Sequence, residues 1–298
     1  MLHPDHSTDL PRLGLAVTAP LRRPASERPG PSGLDRLVEL ARLAEELGFD
    51  AFFVDGSPGE IGGLPAGAGA VAVDPFVVLG AVAVSTSRLQ LGCLAPPLGS
   101  RPPALLAKTV TSLDVCSDGR AVLALGPPAD DQLDETGLAA LSEALEVCRA
   151  LVRVPAPSFA GSHHQLERAW NEPRWPHEAG GPPVALAVPA GLPLAARSGL
   201  LDLAVRHAEL CVLEPGPLGP GELAEVRERL APLARRAGRL PGQPRLLARL
   251  RREAAVGGDP GGLARGCLEA GADGVIVDWS AGEDAAGLAE IGSLLAPA

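Results

Sequence analysis

No tyrosine occurs in the 298-residue chain, methionine and lysine occur once each, and aromatic residues make up only 3%. The missing tyrosine excludes phenolic acid or base chemistry. A Schiff-base or phosphate-loop lysine could only be Lys108, which stands in a helical pattern without a G-x-x-x-x-G-K context. Positive charge is short as well: 26 Lys+Arg against 36 Asp+Glu leave a net charge of -10, with no basic cluster. A nucleic-acid footprint needs a positive stripe, so that class of partner is excluded. Long apolar runs are also missing, since none approaches the roughly 18 residues of a membrane span without Pro, Gly or charge. The first residues, Met1 to His6, show neither a basic n-region nor an apolar h-region. The expectation is a cytoplasmic protein with no membrane or nucleic-acid partner. Its five cysteines (Cys93, Cys116, Cys148, Cys211, Cys267) lie singly with no C-x-x-C pair, which reads as reduced core thiols rather than a disulfide frame or zinc site.

Short β-branched and leucine-rich runs alternate with amphipathic stretches, the pattern of βα units on a parallel sheet. Strands are expected at Leu13 to Thr18, Ala51 to Asp55, Leu89 to Leu94, Ala121 to Gly126, Pro183 to Val188, Leu210 to Glu214, Leu246 to Ala254 and Gly274 to Asp278. The helices after them begin near Gly33, Val73, Pro102, Ala139, Pro193, Gly221, Pro260 and Asp284. The first helix shows the basis: Leu34, Leu37, Val38, Ala41, Leu43, Ala44 and Leu47 fall mainly at three- and four-residue spacing, with Asp35, Arg36, Glu39, Arg42, Glu45 and Glu46 on the wet face. Eight units favour an α/β fold of the (β/α)₈ TIM-barrel type, one domain over 1–298 with loop insertions at 57–71 and 154–182.

In such a barrel, strand C-termini face the site, which selects Thr18, Asp55, Cys93 to Pro97, Gly126 to Pro128, Val188 to Gly191, Glu214 and Asp278-Trp279. Histidine is missing from that set. The pair His163-His164 reads as a hairpin, and Asp130, Asp131, Asp134 and Glu135 as solvated charge before a helix, so no metal site is expected. The same reading finds lysine, histidine and carboxylate in short supply at strand ends, which disfavours an unrelated lyase or isomerase.

The order of blocks carries a resemblance. Gly48-Phe49-Asp50-Ala51-Phe52-Phe53-Val54-Asp55 precedes Ser85-Thr86-Ser87-Arg88-Leu89-Gln90-Leu91-Gly92, then Arg101 to Lys108, Leu113-Asp114, Ser117-Asp118-Gly119-Arg120 and Leu123-Ala124-Leu125-Gly126. This order resembles the luciferase-like flavin-dependent oxidoreductases. The resemblance implies a small organic substrate and a reduced FMN or 5-deazaflavin coenzyme, coenzyme F420, seated at the barrel mouth. The seat would lie against a non-proline cis peptide near Leu94-Ala95, with Gly126 and Gly191 beside the cofactor. Arg197 and Arg101 are the cationic candidates for its phosphate or acidic tail, with Arg197 the one assigned to cofactor binding. Asp55 and Asp278 would be the catalytic candidates, and Thr18 and Trp279 would line the substrate pocket.

Three departures from the family pattern stand out. Asp55 is followed by Gly56 where the deazaflavin enzymes show His, Gly126-Pro127-Pro128-Ala129 fills the turn that can carry a catalytic acid, and Pro189 removes an N-H where paired glycines are usual. They motivate an alternative: a degenerate, non-catalytic barrel acting as a structural or regulatory dimer partner. Both readings imply a homodimer or a heterodimer with a related barrel. The stretch Val73 to Ser87, apolar almost all round, is expected to be a helix covered on both sides.

Overall fold

The structure, a computed structural model, describes residues 10–17, 33–56, 73–94, 96, 98–99, 101–127, 133–173, 181–190, 192, 194–214, 220–250, 259–279 and 285–294. In chain order its elements are β1 (Leu13–Val17), α1 (Gly33–Glu46), β2 (Ala51–Asp55), α2 (Pro75–Ala83), β3 (Gln90–Leu94), α3 (Pro103–Cys116), β4 (Ala121–Leu125), α4 (Glu135–Arg153), β5 (Phe159–Ala160) and β6 (Gln165–Leu166). They continue as β7 (Val184–Val188), α5 (Leu194–His207), β8 (Leu210–Leu213), α6 (Pro220–Arg236), β9 (Arg245–Leu250), α7 (Pro260–Glu269), β10 (Gly274–Trp279) and α8 (Ala285–Leu294). Eight parallel strands close on themselves in the order β1-β10-β9-β8-β7-β4-β3-β2, with the helices outside, so the chain is a (β/α)₈ barrel. β5 and β6 form a separate antiparallel hairpin within the excursion after α4.

Strand alternation divides the apolar side chains into two cores. One set, including Phe53, Leu94, Val122, Val212, Leu247 and Ile276 with several alanines, fills the barrel interior. The other set, including Leu15, Phe52, Leu91, Leu123, Leu186 and Leu213, packs against the helices. Among the described residues Phe53 is the only aromatic side chain of the inner set. The neighbouring strands make room for it: a Cβ at Gly92 would lie 3.0 Å from two atoms of its ring, and one at Gly14 would lie 3.2 Å from the ring. Two glycines thus let one large ring close the middle of the barrel.

The elements depart from the sequence expectation mainly at their ends. α4 starts at Glu135 rather than near Ala139, because the Asp134 carboxylate accepts from the Gly137 N-H and caps the helix there. α2 is shorter than Val73 to Ser87: Asp74 accepts from the Phe76 N-H, Pro75 opens the helix, and it ends at Ala83. It is not covered on both sides, since Val77 is 62% and Val84 78% exposed. Four of the cysteines are buried thiols; Cys116, at the end of α3, is exposed. No helix among the described residues is long and apolar enough to cross a membrane.

Candidate active site

Asp55, Glu214, Arg249 and Asp278 stand on inward-facing positions at the C-terminal ends of their strands. Each lies two residues beyond a member of the inner core, Phe53, Val212, Leu247 and Ile276 respectively. Their backbones are held by the sheet. Asp55 pairs with Leu94, Arg249 with Ile276 and Asp278 with Ala16, while the Glu214 N-H donates to the Val188 carbonyl at 2.9 Å. Four strands, β2, β8, β9 and β10, therefore aim one polar side chain each into one end of the barrel.

The four side chains meet. Arg249 donates through Nη2 to Asp55 Oδ2 at 2.6 Å, through Nη1 to Glu214 Oε2 at 2.7 Å and through Nε to Asp278 Oδ1 at 2.7 Å. The Arg249 side chain is only 5% exposed, against 16% for Asp55, 12% for Glu214 and 24% for Asp278. A planar guanidinium has donors on every edge, so one arginine can hold three carboxylates where a lysine would serve them poorly. Burial works against the charge on Arg249, but the three carboxylates outweigh it and hold its pKa above the ordinary value. For Glu214 burial dominates: with Asp55 and Asp278 nearby, it pushes the carboxyl up to about 7 against the pull of Arg249. Glu214 Oε1 is buried and has no hydrogen-bond partner among the described residues.

The opposite side of the barrel end is apolar and built of smaller groups: Leu94 on β3, Ala124 on β4 and Ala187 on β7. Its backbone is tied together. The Gly56 N-H donates to the Leu94 carbonyl at 2.7 Å, and the Gly126 N-H to the Pro96 carbonyl at 2.8 Å. Gly56 is pressed onto β3 so closely that a Cβ would meet Cys93 Sγ at 2.6 Å and the Leu94 carbonyl and Pro96 Cα at 3.0 Å. No side chain, histidine included, fits at position 56 without moving the end of β3.

The structure thus brings Asp55 and Asp278 together through Arg249 and places Leu94 beside Asp55 on the neighbouring strand. Gly126 lies on the same apolar side, with its N-H already engaged by Pro96. Trp279 is a correction: it is 3% exposed in the helix-side core, and a Cβ at Gly287 of α8 would touch its ring at 3.1 Å, so it does not line the mouth. The reason is strand parity, since Asp278 points inward and the next residue must point out. Arg197, in the first turn of α5, is 8% exposed and paired with Glu222 at 2.8 Å, its Nε without a partner among the described residues. Arg101 pairs with Asp74, and its guanidinium lies 5.0 Å from the centre of the Phe76 ring. Thr18, Ala95, Gly191 and the loop 57–71 lie outside the described residues.

The expected shortage of carboxylates at strand ends is also corrected, because three converge there on Arg249. Arg249 itself was missed. The signal was present, since it is the single charged residue inside the apolar run Leu246 to Leu250 and shares the parity of Leu247. A cleft of about 390 Å³ between α4 and α5, lined by Leu138, Ser142, Asp202 and Arg206 among others, lies in the helix layer, away from these strand ends.

A flavin fits this barrel end in kind. Its ring is flat and has an apolar benzenoid edge and a polar pyrimidine edge. This barrel end sets buried apolar side chains, Leu94, Ala124 and Ala187, beside a charged cluster, the two kinds of neighbour such a ring needs.

The fold is that of a (β/α)₈-barrel protein with a charged cluster at its strand ends, and the comparisons narrow the class. The chain belongs to the luciferase-like monooxygenase family, whose model matches residues 14–257. Among solved structures it is similar to monooxygenase RslO1 from Streptomyces bottropensis, with a TM-score of 0.71 and 19% identity, covering 95% of this chain and 97% of that one. It is also similar to the coenzyme F420-dependent tetrahydromethanopterin reductase from Methanopyrus kandleri, with a TM-score of 0.70 and 15% identity over 95% of this chain and 97% of that one. A third is a type II Baeyer-Villiger monooxygenase from Pseudomonas putida in complex with FMN, with a TM-score of 0.59 and 17% identity over 80% of this chain and 67% of that one.

Proposed function

We propose that the protein is a luciferase-like oxidoreductase that uses reduced FMN or coenzyme F420 on a small organic substrate at the C-terminal mouth of the barrel. The observation that carries this reading is the Arg249 cluster: a guanidinium gripped by Asp55, Glu214 and Asp278 at inward strand ends, with apolar side chains on the remaining strands. Taking one cation and three carboxylates out of water is costly, and a barrel kept only as scaffold would be as stable with apolar groups there. Family membership and the cofactors named for the similar Methanopyrus and Pseudomonas structures support the same reading. No structural observation favours the non-catalytic alternative.

When bound, the flavin would supply hydride transfer or oxygen activation, chemistry that belongs to the cofactor. The chain's own part is placement and electrostatics. Leu94, Ala124 and Ala187 would supply the dry, apolar side of the seat, and Arg249, fixed on three sides, would keep the charged cluster rigid beside it. Asp55 and Asp278 hold that guanidinium in the plane of the strand ends, which makes them positioning residues in the first instance. Arg197, with an unpartnered Nε, is the candidate for the phosphate or acidic tail of the cofactor. Pairing with a second barrel belongs to the same proposal, supported by the exposed Val77 on α2, Val84 at its C-terminal cap and Leu105 on α3. Light scattering at micromolar protein concentration tests it, a dimer being expected and a monomer removing it.

Titration of the purified protein with FMN and, separately, with coenzyme F420 tests the cofactor reading by fluorescence quenching and by the rise in melting temperature. Micromolar binding of one of them is expected. Failure of both at high micromolar concentration would overturn it.

A further inference from the structure

The three carboxylates around Arg249 are not equivalent. Asp55 and Asp278 have further interactions, whereas Glu214 uses only Oε2, and its Oε1 is buried with no partner among the described residues. A bare, buried carboxylate oxygen is among the costlier arrangements in a folded protein. Placing a proton on Oε1 turns it into a donor that needs an acceptor. One guanidinium against three carboxylates leaves an excess of negative charge, so a proton on the least exposed of them relieves the cluster most.

We propose that Glu214 is the proton-donating residue of this site, delivering a proton from Oε1 to the oxygen or nitrogen of an uncharged carbonyl or imine substrate. The proposal rests on the reading of the barrel mouth as the reacting site. In the step, the O-H bond of Glu214 breaks and an O-H or N-H bond forms at the acceptor atom, which takes the π pair of the C=O or C=N bond while the carbon gains a hydride that the reduced coenzyme of the proposed function would supply. The electron pair stays on the carboxylate, which Arg249 faces through Oε2, and a solvent proton restores the acid. The charged groups facing Glu214 are Arg249 on β9, Asp278 on β10 and Asp55 on β2. β7 brings Ala187 and Val188, and α5, packed behind β8, carries Arg197 already paired with Glu222. With its pKa near 7, the acid and base forms are both populated at neutral pH, the condition for efficient proton transfer. The same cluster sets the substrate class. A carboxylate or phosphate at Oε1 would face the acidic excess, whereas a ketone or imine meets a donor.

The test needs no flavin, so its failure is separable from failure of the cofactor reading. Infrared difference spectra of the unliganded full chain are recorded between pH 5 and pH 9, for wild type and Glu214→Gln. A protonated-carboxyl band that disappears with a midpoint near 7 in wild type and is absent from the variant is expected. Carbon-13-labelled cyclohexanone at millimolar concentration then probes donation: its carbonyl band is expected to move to lower frequency at pH 6 and to return at pH 9. In Glu214→Gln, whose amide keeps its protons, any shift is the same at both pH values. Should that variant not fold, Glu214→Asp keeps the acid one methylene shorter and is expected to move the band and its midpoint. Spectra showing Glu214 ionised from pH 5 to pH 9, or a ketone band that never moves, would overturn the proposal.

Discussion

Arg249→Met is the perturbation with the largest effect that the structure foresees. The side chain makes three charge-assisted hydrogen bonds at 2.6, 2.7 and 2.7 Å from a position 5% exposed, so its loss leaves Asp55, Glu214 and Asp278 facing one another without a cation. Bonds to charged groups contribute about 1.5–3 kcal/mol each, but the partial exposure of Asp278 and the desolvation regained by removing the guanidinium reduce the sum. Breaking such a buried cluster from one side costs about 3–5 kcal/mol. In a chain of this length that lowers Tm by roughly 6–12 °C. The deficit depends on pH with a definite sign. The Glu214 carboxyl, already raised to about 7, loses the one group that pulls it down, so the folded variant binds more protons than the unfolded chain. Its stability is highest below the unfolded carboxyl range and falls as pH rises. Urea denaturation at pH 5 and pH 8 is the assay, with Arg249→Lys as a control that keeps the charge and loses less. A loss under about 1 kcal/mol at pH 8, or one that does not shrink at pH 5, would refute the account of the cluster, because that is the range of exposed ion pairs.

Glu214→Gln is expected to gain stability relative to wild type as pH rises. Wild-type stability from this group is full below the ordinary value of 4.5 and is lost as pH passes through about 7, a difference of about 3 kcal/mol at pH 8 that denaturant midpoints across the range read out. Gly56→Ala is expected to cost about 1–3 kcal/mol, because the new methyl meets Cys93 Sγ, the Leu94 carbonyl and Pro96 together; a thermal melt unchanged from wild type would show that the β3 end yields freely. Arg197→Gln is expected to weaken FMN binding about tenfold while leaving riboflavin, which has no phosphate, within about threefold. Equal losses for both would remove Arg197 from the phosphate site.

Much of the fold was legible because its physics is local and periodic. The apolar spacing of α1 and the runs at β2 and β10 each point to one kind of element, and eight such units close in only a few ways. The ends were less legible, because caps such as Asp134 and Asp74 act through single side chains and override the apolar pattern by several residues. The site was half legible. Strand ends selected Asp55, Glu214 and Asp278, but not the partner that joins them, because Arg249 sits inside a strand that reads as buried and apolar. Trp279 was misplaced for the converse reason: being at a strand end says nothing about which face a side chain takes, and only parity with Ile276 and Asp278 does. Gly56 reads in sequence as a lost histidine; in the structure it is a close approach between two strands that leaves no room for a side chain.

The most direct test of the central claim is a crystal structure of the protein with whichever of FMN and coenzyme F420 it binds. The ring is expected at the C-terminal ends of β3 and β4, one face on Leu94 and its polar edge toward the Arg249 cluster. A ring bound elsewhere, or a mouth left empty with the cofactor present at saturation, would contradict it.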